Sequence, residues 1–300
     1  MKTLVIGAAI IDMILQVDRV PTSGEDVLGR DLRTMVGGCA YNVAATLRNL
    51  SCEHDLCVPV GEGAHADIIK KELQKRGYPI LIHDEEKDNG FCFCLVEKSG
   101  ERTFITTQGI EGEFHKEWFE NIDMSGYKNV YLAGYQACGE NGKVMVEWLA
   151  GLKGIDIYFA PGPVICDIEK DTMKQILALQ PILHLNEKEL LDFTGEDTVK
   201  QGLKVLYRMN QNRIIVTLGN EGAICWDGQN LVQAPAIKAQ VVDTIGAGDS
   251  HIGAIIGCLS QGKSMEESLN AANRVAAAVV GVQGAVISKE EFEKKMEEYK

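Results

Sequence analysis

Positive charge is in short supply. Lys and Arg number 30 against 43 Asp and Glu, a formal net charge of −13. That balance argues against a surface that tracks a nucleic-acid backbone or adheres to an anionic membrane, and it points to a soluble cytoplasmic protein. Paired cysteines are missing as well. None of the nine forms a C-x-x-C pair, and the nearest two, Cys92 and Cys94, are spaced like neighbours on one face of a strand. No zinc site or disulfide framework is legible, which leaves reduced, mostly buried thiols. No uncharged apolar run approaches the length of a membrane span. The opening MKTLVIGAAIIDMIL mimics a signal peptide, but Asp12 interrupts it and no small-residue cleavage site follows. A buried first strand explains it better. Internal repeats, low-complexity tracts and interdomain linkers are also absent.

What is present is a chain of 300 residues, 45% hydrophobic, which suffices for a sizeable core without covalent staples. Short apolar runs alternate with helical patterns. TLVIGA, DLCVPVG, NVYLAG, IDIYFA, PILHLN and RIIVTLG read as strands, most ending at Gly, Pro or Asn. In TVKQGLKVLYRMN, Val199, Leu203, Leu206 and Met209 fall on one helix face. ADIIKKELQKRG groups Ile68, Ile69 and Leu73 and stops at Gly77, a suitable helix end. Doubly buried strands alternating with helices predict a mostly parallel sheet between helix layers. Two segments break the rhythm and predict a small antiparallel sheet, with KSGER as a hairpin turn. The expected layout is a core of residues 1–12, 30–86 and 111–300, with a lid at 13–29 and 87–110. A decorative edge hairpin is the plainer alternative to a lid.

Two phosphate motifs compete. GCLSQGKS, Gly257 to Ser264, matches the P-loop pattern G-x-x-x-x-G-K-S. Its context is wrong, because a P-loop follows a strand and opens a helix, whereas the preceding residues read as a helix. Gly262 reads as that helix's end, and SMEE as a capping box for the next. VVDTIGAGDSHIGAIIG, Val241 to Gly257, has the right context: KAQVVDT is strand-like, IGAG a turn, and DSHIGAIIGCL a helix. Glycines at Gly246 and Gly248, with Ala247, let backbone N–H groups converge, and the helix N-terminus adds partial positive charge. Asp249 sits beside that anion hole. The dipole should favour its ionised form, which suits a general base acting on a hydroxyl that attacks a phosphoryl group. An aspartate in a first turn can also merely cap, and the residues alone leave both readings open.

These residues resemble the ribokinase-like (PfkB-type) carbohydrate kinases. DTIGAGDSHIGAII (Asp243 to Ile256) fits that family's D-T-x-G-A-G-D element, and GGCAYNVAATLRNLSCEHDLCVPVG (Gly37 to Gly61) its Gly-Gly…Asn element. The resemblance implies a three-layer α/β/α, doubly wound, mostly parallel sheet with a small inserted β-sheet lid. It implies transfer of the ATP γ-phosphoryl group to a hydroxymethyl group of a sugar or nucleoside, with Asp249 as base and Gly246, Ala247 and Gly248 as anion hole. Asp12, Gly37, Gly38 and Asn42 match substrate-binding positions. NEKE places Asn186 and Glu189 on an element that orders Mg2+ and its water. Thr217, Gly219 and Gly222 match the nucleotide-binding segment, and Asn273 an asparagine flanking adenine. Asp243 matches a position that helps organise a monovalent cation such as K+.

Two departures stand out: Ala160 in FAPGP replaces an aspartate common in the family, and Gln136 aligns near a sugar-contacting glutamate of ribokinase itself. The latter puts ribose in doubt. A nucleoside or pseudouridine kinase is the alternative, with Tyr41, Phe104 or Tyr135 stacking on a base; so is a non-catalytic binding protein of the same fold. Arg102 or Tyr135 is expected near the substrate on lid closure. An exposed lid edge invites pairing with a second copy's lid to form a homodimer.

Overall fold

A computed structural model describes residues 1–99 and 101–299. In chain order the strands are β1 (Lys2–Ile6), β2 (Ile10–Val17), β3 (Arg30–Gly37), β4 (His54–Cys57), β5 (Pro59–Val60), β6 (Ile82–His83), β7 (Phe91–Glu97), β8 (Arg102–Thr107), β9 (Tyr127–Ala133), β10 (Asp156–Ala160), β11 (Ile182–Asn186), β12 (Ile214–Thr217), β13 (Ala223–Trp226) and β14 (Leu231–Ala234). The helices are α1 (Cys39–Asn49), α2 (Ala64–Arg76), α3 (Glu117–Glu120), α4 (Gly139–Gly151), α5 (Lys170–Ala178), α6 (Glu187–Thr194), α7 (Val199–Asn210), α8 (Ala247–Ser260), α9 (Met265–Val280) and α10 (Lys289–Glu298).

Eight strands form the main sheet in the order β14-β13-β12-β11-β10-β9-β1-β4. Pairing is parallel from β4 to β12 and antiparallel across β12, β13 and β14. The strand interiors are apolar on both faces because helices cover both. Val5, Tyr131, Tyr158 and Ile215 point into one core beneath α1, α8 and α9. Leu4, Val130, Leu132 and Phe159 point into the other, beneath α4, α5 and α7. This is the mostly parallel sheet between helix layers that the alternating pattern predicts, doubly wound as the resemblance implies.

The small sheet runs β3-β2-β7-β8. It is mixed rather than purely antiparallel: β2 pairs with β7 in parallel, between two antiparallel hairpins. Its strands also extend beyond the expected limits. Ile10–Asp12 and Arg30–Gly37, assigned from sequence to the core, lie in this sheet. RDLRTM is mostly polar, and none of its six residues is buried, so reading core strands from apolar runs misses it. Gly100 of the expected KSGER turn lies outside the described residues.

Local signals carried most of the helix boundaries. Gly77 ends α2 in the left-handed conformation. Ser264 and Glu267 form the capping box of α9, so the P-loop look-alike is a helix–turn–helix junction. Met209 and Ile68, expected on buried faces, are exposed. KAQVVDT forms no strand; Val241 and Val242 are exposed, and the Val242 and Asp243 amides donate to the Val280 carbonyl at the end of α9. Its β-branched residues had no partner strand to join.

Candidate active site

The first strand ends at Ile6 and β3 of the small sheet at Gly37, so residues 7–12 and 37–42 meet at the carboxyl edge of the main sheet. That edge is where open α/β sheets leave a crevice. Gly37 is needed for a steric reason. A Cβ there would sit 1.8 Å from Asp12 Oδ2, so the missing side chain makes room for that carboxylate.

Two helices begin at this crevice, side by side and parallel. A Cβ on Gly253 of α8 would lie 3.0 Å from the Thr46 Cβ of α1. One turn earlier on each helix stand Asp249 and Asn42, and Asn42 Nδ2 donates to Asp249 Oδ2 at 2.9 Å. The close helix contact thus sets the hydrogen bond. Neither N-terminus has a side-chain cap. Gly246 precedes α8 with φ of 75°, a left-handed turn that favours glycine. Among the described residues, the Gly246, Gly248 and Asp249 amides have no protein acceptor, whereas Ala247 N–H donates to the Thr244 carbonyl at 3.3 Å. Of the three expected anion-hole amides, Ala247 is therefore partly engaged, and Asp249's own amide joins the free set.

Burial pushes the Asp249 carboxyl up to about 6, against the lowering effect of Asn42 and the Cys39 thiol. The expectation that the helix dipole would hold it ionised gives way to desolvation. Asp12 is pushed to about 7, first by burial and then by the charges of Asp249 and Asp243. Two further acceptors lie nearby. Asn42 Oδ1 and Gln136 Oε1 are buried without partners, and Gln136 Oε1 lies 3.2 Å from the point a Gly7 Cβ would occupy. Asn42 spends one of its two amide hydrogens on Asp249 and keeps its oxygen without a partner.

On the far side of the α8 N-terminus lies a cavity of about 570 Å³, lined among others by Thr217, Gly219, Gly222, Gly248 and Asn273. Its size suits a nucleotide. Asn186 is not part of the lining but lies on the neighbouring strand in register with Thr217, which is. Asn273 does not present free polar atoms to the cavity. Its Nδ2 donates to the Ala234 and Pro235 carbonyls, and its Oδ1 meets His251 Nε2 at 3.2 Å. His251 Nδ1 lies 2.9 Å from His184 Nε2, so with His251 donating to Asn273, His184 donates to His251. Burial lowers the pKa of both rings and keeps them neutral. Only one feature of the sequence announces this chain, a histidine at an inward position of an apolar strand.

Glu189 closes a capping box with Asn186, accepting from its backbone amide at 2.9 Å and its Nδ2 at 2.8 Å. Burial raises its pKa, and its charge is felt by Asp249, so it faces the same crevice. Among the described residues, no group of three or more His, Cys, Asp or Glu could enclose a metal ion. The lone carboxylate fits a magnesium ion held chiefly by phosphates and water. Asp243 does not fit a monovalent cation. Its oxygens accept from Ile245 N at 2.8 Å, Gly284 N at 3.0 Å, and the guanidinium of Arg102 on the lid.

Of the three aromatic residues expected to stack on a base, Tyr41 is buried, with its hydroxyl on Glu72. Tyr135 and Phe104 are exposed. Phe104 shares a lid face with Arg102 and, through the registers of β2, β7 and β8, with Asp12.

An acid held between uncapped helix ends, with a nucleotide-sized cavity on one side and hydrogen-bond acceptors on the other, is the candidate active site of this doubly wound α/β fold. The pfkB family of carbohydrate kinases matches residues 2–291, and the chain belongs to that family. It is 34% identical over 287 residues to the uncharacterized sugar kinase YegV of Escherichia coli (strain K12), covering 94% of this chain and 89% of that one. Arabidopsis thaliana ribokinase complexed with ribose and ATP superposes with a TM-score of 0.81 at 23% identity, over 98% of each chain. A Burkholderia thailandensis nucleoside kinase in complex with inosine gives a TM-score of 0.79 at 18% identity, over 99% of this chain and 98% of that one. The protein is a kinase with the ribokinase fold, and the family uses ATP. Among the described residues, no helix is long and apolar enough to cross a membrane.

Proposed function

We propose that the chain transfers the γ-phosphoryl group of ATP to a hydroxymethyl group of an uncharged, polyhydroxylated acceptor of the sugar class. The observation that carries this is the position of Asp249, in the first turn of α8, beside amides without partners and fixed by Asn42. Asp249 takes the hydroxyl proton as that oxygen attacks. The Gly246 and Gly248 amides, with the amide of Asp249, receive the negative charge of the transferring group, with Ala247 completing the turn. Thr217, Gly219, Gly222 and Asn273 form the nucleotide cavity. A magnesium ion, when bound, would neutralise phosphate charge, with Asn186 and Glu189 holding its water shell.

The acceptor side selects the substrate class. Asp12, Asn42 Oδ1 and Gln136 Oε1 are hydrogen-bond acceptors, so they suit hydroxyl donors. Gly37 and Gly38 allow close approach. The guanidinium of Arg102, on the same lid face as Asp12, is engaged by Asp243, which disfavours its use on a sugar phosphate. The ribose and inosine carried by the two solved relatives bracket the possibilities. A nucleoside acceptor is the second reading, favoured by Tyr135 and Phe104 exposed on that side.

An ATP-consumption screen over pentoses, hexoses, sugar phosphates and nucleosides tests the class; turnover restricted to sugar phosphates overturns it. Asp249→Asn should lower kcat by about two or more orders of magnitude while nucleotide affinity is kept. Near-normal turnover in that variant removes Asp249 from the role of base.

A further inference from the structure

The lid contributes a charged group to the core beside the anion hole. Arg102, in the first residue of β8, places Nη1 on Asp243 Oδ1, a residue 141 positions away. Both side chains are withdrawn from water, Arg102 at 15% and Asp243 at 3% exposure. Asp243 is the anchor of the loop that leads into the anion hole. One oxygen holds the Ile245 amide just before Gly246, and the other holds the Gly284 amide. Asp12, across the cleft, feels the charges of both Asp249 and Asp243.

A carboxylate this buried needs a compensating cation, because two backbone donors do not offset the loss of hydration. Three acids around one cleft sharpen the need. We propose that Arg102 is the resident counter-cation of Asp243, delivered by the lid in place of a monovalent ion from solution. Closing the lid then completes the charge balance behind the anion hole, and opening it leaves Asp243 uncompensated. Nucleotide binding is accordingly indifferent to potassium. This rests on the anion-hole reading of the Gly246 turn, but not on the identity of the acceptor or on Asp249 as base.

Calorimetric binding of ADP with magnesium, and thermal melting, in potassium chloride and in tetramethylammonium chloride of equal ionic strength provide the test. The unmodified protein should bind equally within about twofold in the two salts. In Arg102→Gln, affinity in tetramethylammonium should fall about tenfold or more, and potassium should restore both affinity and melting temperature. Arg102→Lys should behave like the unmodified protein. A tenfold or greater gain on adding potassium to the unmodified protein overturns the proposal, as does an Arg102→Gln variant that binds equally well in both salts. Because the readouts are binding and melting, a protein that passes them yet phosphorylates no sugar refutes the kinase reading alone.

Discussion

Asp249 and Asp12 are the residues through which pH acts. Both are held above the ordinary carboxylate range, to about 6 and about 7, and in both burial is the largest cause. A general base works only when ionised, so kcat/KM should rise as pH increases through about 6 and level off above; the two coupled acids share the observed steps. A flat profile from about pH 5 to about pH 8 contradicts the assignment. The same shifts act on stability. A buried acid whose folded-state pKa is raised stabilises the fold only while protonated, so its contribution is present below the unfolded value and lost as pH rises through about 7 for Asp12. Asp12→Asn, uncharged at every pH, should raise unfolding free energy by about 1–2 kcal/mol at about pH 8 and leave it unchanged at about pH 4, after allowance for solvent screening. Urea melts at the two pH values measure it. None of this could be read from sequence. The rule that a helix N-terminus favours an anion is local, whereas the burial that outweighs it comes from α1, some two hundred residues earlier.

At the scale of elements, the parallel contact of α1 and α8 positions the site. Gly253 lets the helices approach until Asn42 reaches Asp249 one turn up. Gly253→Val should cost about 1–3 kcal/mol by overpacking against Thr46 and Val43, and should lower kcat more than it weakens ADP binding, because it separates Asn42 from Asp249. Equal losses in both would mean the contact serves stability alone. Elements with a complete local signature were legible: apolar strands such as β1 and β11, the Gly77 helix end and the Ser264 capping box. KAQVVDT was not, because strand formation needs a neighbour that its composition cannot announce. The small sheet's extent was misread for a related reason: β3 exposes most of its residues, and only pairing with β2 defines it. The Arg102–Asp243 pair joins residues whose proximity no motif spacing encodes.

For the molecule as a whole, the small sheet is both a cover and an exposed surface. Its edge strands β3 and β8 have no outer partner among the described residues. Leu32 and Ile105, on those two strands, are 59% and 57% exposed. Unpaired edges beside exposed apolar side chains favour association with a second copy through the lid. Sedimentation should find a dimer that Ile105→Lys converts to monomer; a monomeric unmodified protein at assay concentration excludes this arrangement.

The neutral chain from His184 through His251 to Asn273 has a consequence for the phosphoryl donor. The ring nitrogens of His251 and the amide of Asn273, the two members that line the cavity, are already bonded within the protein, so a purine resting on that wall would encounter contour rather than a free hydrogen-bonding group from either. Discrimination between adenine and guanine is left to the backbone of residues 236–239 across the cavity. A weak preference for ATP over GTP follows, rather than strict rejection of the second nucleotide.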